Sequence, residues 1–152
     1  MDAVIKEILD EFGPELIGEI HSAMEVGKIN ATKQSAESLR YETPDSGFIL
    51  YGAESFSFIE QGRGPGGKPP FSHIEEWVVA RGIEKEDEKA TRSFVFAIMN
   101  KIAQEGTALH VSGERRDVYT SVITSERIES LFSLIASTMT RKVSSDIVNA
   151  FR

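Results

Sequence analysis

The chain has 152 residues, about the size of one domain, and its 17 basic and 24 acidic side chains give a net charge of −7. That balance opposes non-specific binding to a phosphate backbone, and the absence of cysteine excludes disulfide staples, thiolate catalysis and Cys-ligated zinc or iron-sulfur centres. With 40% apolar and 27% charged residues the composition is that of a folded globular chain, long enough to bury about 68–70% of its unfolded surface. Residues 1–152 are therefore read as a single domain. Met1-Asp2-Ala3-Val4-Ile5-Lys6-Glu7 carries acids where a secretory signal has a basic start, and no apolar run is long enough to span a bilayer. A soluble, untargeted chain made in a reducing cytoplasm is expected.

In chain order, Ile5, Leu9, Phe12, Leu16, Ile20 and Ala23 recur at steps of three and four, the stripe of an amphipathic helix ending near Gly27. Gly13-Pro14 interrupts this stripe without shifting its phase, which predicts either one helix kinked near Pro14 or two nearly collinear helices. Residues Asn30 to Leu39 read as a short polar helix or an ordered loop. Arg40-Tyr41-Glu42-Thr43 and Phe48-Ile49-Leu50-Tyr51 flank the turn signal at Pro44-Asp45-Ser46-Gly47 and predict a β-hairpin. Gln61 to Pro70 is too rich in Gly and Pro to join a regular element. Beyond it, Phe71, Ile74, Trp77 and Val78 mark a helical face that stops at Gly82, with Trp77 read as core. Phe94, Ile98 and Ile102 mark a second helix that stops at Gly106.

Leu109-His110-Val111-Ser112-Gly113 reads as a loop, and Val118 to Thr124 reads as extended, with a continuation of helix left open. From Ile128 the stripe Leu131, Phe132, Ile135, Met139, Val143, Ile147 and Ala150 predicts a long C-terminal helix, with Thr124 or Ser125 as its cap and Glu126 and Glu129 in its first turn. Such a helix projects beyond a core of this size or packs against a neighbouring subunit. The fold class expected is α+β, a small antiparallel sheet covered by helices, with long N- and C-terminal helices.

Few residues suggest chemistry. The run Gly62-Arg63-Gly64-Pro65-Gly66-Gly67 superficially resembles a phosphate loop, but Pro65 removes an amide and Pro69-Pro70 intervene before the helix. The favoured reading is a rigid surface loop that approaches another backbone closely. His73 with Glu76 could begin a metal site with His110 or Glu60, although one His and one carboxylate three residues apart arise often by chance. His21 reads as a half-buried packing residue. No Gly-x-Ser-x-Gly elbow is present, and no catalytic, cofactor-binding or metal-binding residue is assigned.

The middle of the chain carries a serial pattern. It runs Phe58-Ile59-Glu60-Gln61-Gly62, the Pro-rich loop to Pro70, a helix with Ile74-Glu75-Glu76-Trp77-Val78, a helix with Phe96-Ala97-Ile98, and Gly106-Thr107. This order resembles tailed-phage tail-completion and minor tail proteins of the head-to-tail joining family, over about a third of the chain as a tight pattern. The chain departs from that pattern at Glu54-Ser55-Phe56-Ser57, where the family has a Pro-Tyr-Ala-like lead.

The resemblance implies a structural virion protein in the neck or tail, made in the host cytoplasm and not an enzyme. Copies would form a ring, sixfold by family resemblance, that terminates the tail tube and meets the head connector or adaptor proteins. DNA would only pass through a channel, without sequence-specific binding, and no membrane is involved. Gln61, Arg63, Lys68, Pro69, Pro70, Arg115 and Arg116 are the expected partner contacts. Two alternatives stand beside this reading. One is a small interaction, regulatory or toxin-like domain of a mobile element; the other is a metal-dependent enzyme using His73, Glu76 and His110.

Overall fold

The computed structural model describes residues 1–27, 29 and 34–151. Helix α1 spans Ala3–Val26 without a break, so Gly13-Pro14 does not divide it into two. Asp2 caps its start by accepting from the Val4 amide at 2.9 Å, and Leu9, Leu16, Ile20 and Met24 form its buried stripe. Pro14 has no N–H to give the Asp10 carbonyl four residues back. The Tyr41 hydroxyl donates to that carbonyl instead, at 3.2 Å. Gly13 allows the approach, since a Cβ there would lie 2.6 Å from the Tyr41 ring. The Gly-Pro pair thus builds a seat for an aromatic ring on the flank of a helix.

Tyr41 belongs to the predicted hairpin. Strands β1 (Arg40–Glu42) and β2 (Ile49–Tyr51) pair antiparallel, with Tyr41 opposite Leu50. Phe48 stacks on Tyr41 at 5.7 Å and meets Phe12 edge-on at 5.6 Å, which fastens the hairpin to α1. The short helix α2 covers Gln34–Glu37; the earlier part of the segment read as polar helix or loop, residues 30–33, lies outside the described residues. Ala36 joins Leu16, Ile20, Met24, Val118 and Val122 in the first core cluster, with Phe12, Leu50, Phe56 and Ile59 packed around it. His21 is half-buried, as expected, with Nε2 at 2.9 Å from the Ala36 carbonyl oxygen.

Helix α3 (Phe56–Gln61) leads into the Gly-Pro loop, and α4 (Phe71–Ala80) leaves it. The second apolar helix, α5, spans Glu88–Glu105 and starts before the stripe does, because Asp87 caps it from the Ala90 amide at 2.7 Å. Val78, Val95 and Met99 form a second cluster between α4 and α5, flanked by Phe71, Ile74, Phe94 and Ile98. Trp77, expected in the core, is 37% exposed with Arg81 over its ring, because Val78 occupies the inward position. Two further expectations fail. Ala108–Ser112 is a short helix, α6, ended by Gly113 in the left-handed conformation, and not a loop. Residues 118–123 form turns and bends and Thr124 is the cap of the next helix, so the segment is neither strand nor helix.

Helix α7 (Ser125–Ala150) is capped by Thr124, which accepts from the Arg127 amide at 3.2 Å. Arg127 pairs with Glu15 and Glu19 in the middle of α1, whereas Lys142 pairs with Asp2 at its start, so the two helices run antiparallel. None of the residues of α7 is buried. The whole is mostly helical, with long terminal helices and, among the described residues, one two-stranded antiparallel sheet.

Candidate functional site

Two helix ends that lie far apart in sequence meet at the Gly-Pro loop. Helix α3 closes at Gly62 with φ +74° and α5 closes at Gly106 with φ +87°, values that an L side chain rarely adopts. The residues just after these glycines clasp each other. The Thr107 amide donates to the Arg63 carbonyl at 2.8 Å, and the Arg63 amide donates to Thr107 Oγ1 at 2.9 Å. Space is as demanding as φ here: a Cβ on Gly62 would sit 2.5 Å from the His110 amide nitrogen, and one on Gly106 would sit 2.6 Å from the Arg63 carbonyl oxygen. The Gly66 amide donates to the Ala103 carbonyl at 2.9 Å, and the Arg63 guanidinium closes onto the Gly67 carbonyl at 2.7 Å. The loop is the close backbone approach read from its sequence, and the Arg63 and Gly66 amides are already engaged within the chain.

Beside this clasp lies Glu60, which has no exposed surface. Its Oε1 accepts from the amides of Val118, Tyr119 and Thr120 at 2.9, 2.8 and 2.8 Å, and from the Thr120 hydroxyl at 3.1 Å. Its backbone carbonyl also accepts from the Arg116 amide at 2.9 Å. One carboxylate therefore gathers three successive amides, which explains why the chain turns at 118–120. Amides pointed at one oxygen cannot also lie along a strand ladder. Oε2 is buried and accepts no hydrogen bond among the described residues; Arg115 Nη2 lies 3.8 Å away, an ion-pair distance too long for a hydrogen bond.

Around this rigid centre the expected contact residues separate. Gln61, Lys68, Pro70, Arg115 and Arg116 are exposed, Arg63 is half-buried over the Phe58 ring, and Pro69 is buried and so is withdrawn from any contact surface. The metal alternative is not assembled. Glu76 accepts from Gln34 Nε2 at 2.8 Å, His73 is exposed on α4, and the His110 ring lies against Gly64 and Gly106. Among the described residues no group of three or more His, Cys, Asp or Glu is placed to hold a metal ion. Thr120, which completes the carboxylate cage, escaped sequence reasoning, as did the bonding role of Thr107 in the clasp and the anchoring role of Glu60. A lone Glu between Ile59 and Gly62, at the end of an apolar segment, was the available signal.

No helix among the described residues is long and apolar enough to cross a membrane. In comparisons with known proteins, no family model, no curated protein and no solved structure matches the chain.

Proposed function

We propose that the chain is a structural component of a tailed-phage particle, placed at the head-to-tail junction. There it terminates the tail tube and docks it to the head connector as one subunit of an oligomeric ring. The observation that carries the reading is the clasp of Arg63, which directly follows Glu60-x-Gly62, onto Thr107 of Gly106-Thr107. Two of the sequence features behind the resemblance, more than 40 residues apart in the chain, belong to one hydrogen-bonded unit. Such a unit suits a mechanical role. It ties the loop down through the Gly66 amide and the Gly67 carbonyl, which lowers the ordering entropy that docking costs, and it leaves Lys68, Arg115 and Arg116 at the surface.

The test is electron microscopy of particles made with and without this polypeptide. Without it, filled heads and separate tails are expected; with Arg115→Glu and Arg116→Glu together, the folded protein should join them poorly. Normally joined particles that lack the polypeptide would overturn the proposal.

A further inference from the structure

We propose that α7 carries a second apolar stripe that pairs it, antiparallel, with α7 of a second copy of this chain. The face turned to α1 is marked by Ile128, Leu131 and Ile135, all partly buried, and by the ion pairs of Arg127 and Lys142. Phe132, Ala136, Met139, Val143, Ile147 and Ala150 follow at steps of four, three, four, four and three, and so form a different row, turned about a quarter of the way round the helix. Among the described residues most of that row is bare: Phe132 is 65% exposed, Val143 50% and Ile147 53%, while Met139, nearest the α1 side, is partly buried. Beyond Lys142, which pairs with Asp2 ahead of the first turn of α1, the last two turns of α7 run past their helical neighbour.

Area and charge select the occupant. The row and Phe151 offer roughly 600 Å² of exposed apolar side chain per copy, about 1,200 Å² for a pair, which reaches the lower edge of specific protein interfaces. An antiparallel pair with Phe132 facing Ile147 of the second copy sets Ala136 against Val143 and Met139 against Thr140, so that small side chains meet larger ones. The same register sets Glu129 against Ala150 and Asp146 against Ser133, so neither acid flanking the row meets its like. A parallel pair would put each acid against its own copy and align the two helix dipoles unfavourably. The contact is isologous and closes on itself as a dimer. It is independent of the particle reading, since it concerns the protein alone in solution.

Sedimentation equilibrium on the purified full chain tests it. The protein should dimerise, and Val143→Glu with Ile147→Glu should weaken the dimer at least about 100-fold by burying unpaired carboxylates, with the far-UV dichroism unchanged. Because the chain has no cysteine, introduced thiols report the register. Under oxidation Met139→Cys alone and Phe132→Cys with Ile147→Cys should form linked dimers, and Phe132→Cys alone should not. A wild-type protein that stays monomeric to about 100 µM, a dimer indifferent to the two glutamates, or Phe132→Cys linking as readily as Met139→Cys would overturn the proposal.

Discussion

Replacing Glu60 by alanine should be one of the most damaging single changes in this chain, and the structure sets its size. Three amides lose an acceptor, but their losses differ. The Val118 amide keeps the Arg116 carbonyl at 2.9 Å, and Thr120 is exposed and can turn to water. The half-buried Tyr119 amide has neither recourse, which costs about 1–3 kcal/mol, and the space left by the side chain adds about 1–2 kcal/mol. Relief from burying the carboxylate offsets part of this, for a net loss of about 2–4 kcal/mol. For a chain of this size that is a fall of about 5–12 °C in Tm. Glu60→Gln keeps an acceptor at Oε1 but buries an NH2 where Oε2 sits, and should cost about 1–2 kcal/mol. Urea denaturation followed by far-UV dichroism gives both values, and amide exchange should quicken at residues 118–120 in the alanine variant. An alanine variant within about 0.5 kcal/mol of wild type, or a glutamine variant less stable than alanine, would refute the view that this carboxylate organises the turn.

Two glycines of α1 should respond to alanine with opposite signs. Gly18→Ala meets no heavy atom within 4 Å and should stabilise by about 0.5–1 kcal/mol, whereas Gly13→Ala drives a Cβ into the Tyr41 ring and should destabilise by about 1–3 kcal/mol, both read from thermal melts. Gly106→Ala combines a positive φ with contact against the Arg63 backbone and should cost about 2–4 kcal/mol, with the Thr107 amide resonance displaced in the NMR spectrum. Acid should loosen the α1–α7 pairing. Hydrogen bonds from Lys142 to Asp2 and from Arg127 to Glu19 hold both carboxyls below their ordinary values of 3.8 and 4.5, so their contribution is present above those values and is lost as pH falls through the lower folded-state ones. Urea midpoints at pH 7 and pH 3 should therefore differ less in Asp2→Asn and Glu19→Gln than in wild type, and added salt should narrow the wild-type difference.

The long helices were legible because their signals are local. The spacing of Leu9, Leu16 and Ile20 on α1 needs no knowledge of what covers it, and neither do the Thr124 cap of α7 or the glycines that stop α1 and α5, whereas the Asp2 and Asp87 caps were not read. The hairpin was legible for the same reason, since Pro44 to Gly47 names a turn between two β-prone segments. Sequence reasoning failed where a distant group takes hold of the backbone. Val118 to Thr124 has β-branched and aromatic residues that favour extension, yet a carboxylate 58 residues away takes the Val118 amide and bends the segment. Trp77 and Val78 stand side by side on one helix, and only the position of α5 decides which of them turns inward.

By itself the sequence determined the long helices, the hairpin, the irregular loop between Gly62 and Pro70, and the exclusion of cysteine chemistry. These follow from backbone preference and periodicity, which act over a few residues. Tertiary structure decided that Gly13-Pro14 seats Tyr41, that the two helix ends at Gly62 and Gly106 clasp each other, and that Glu60 is a buried anchor. It also left Phe132, Val143 and Ile147 of α7 exposed. Each of these depends on which distant groups meet, and a hydrogen bond or an apolar contact between them has no signature in the spacing of either one alone.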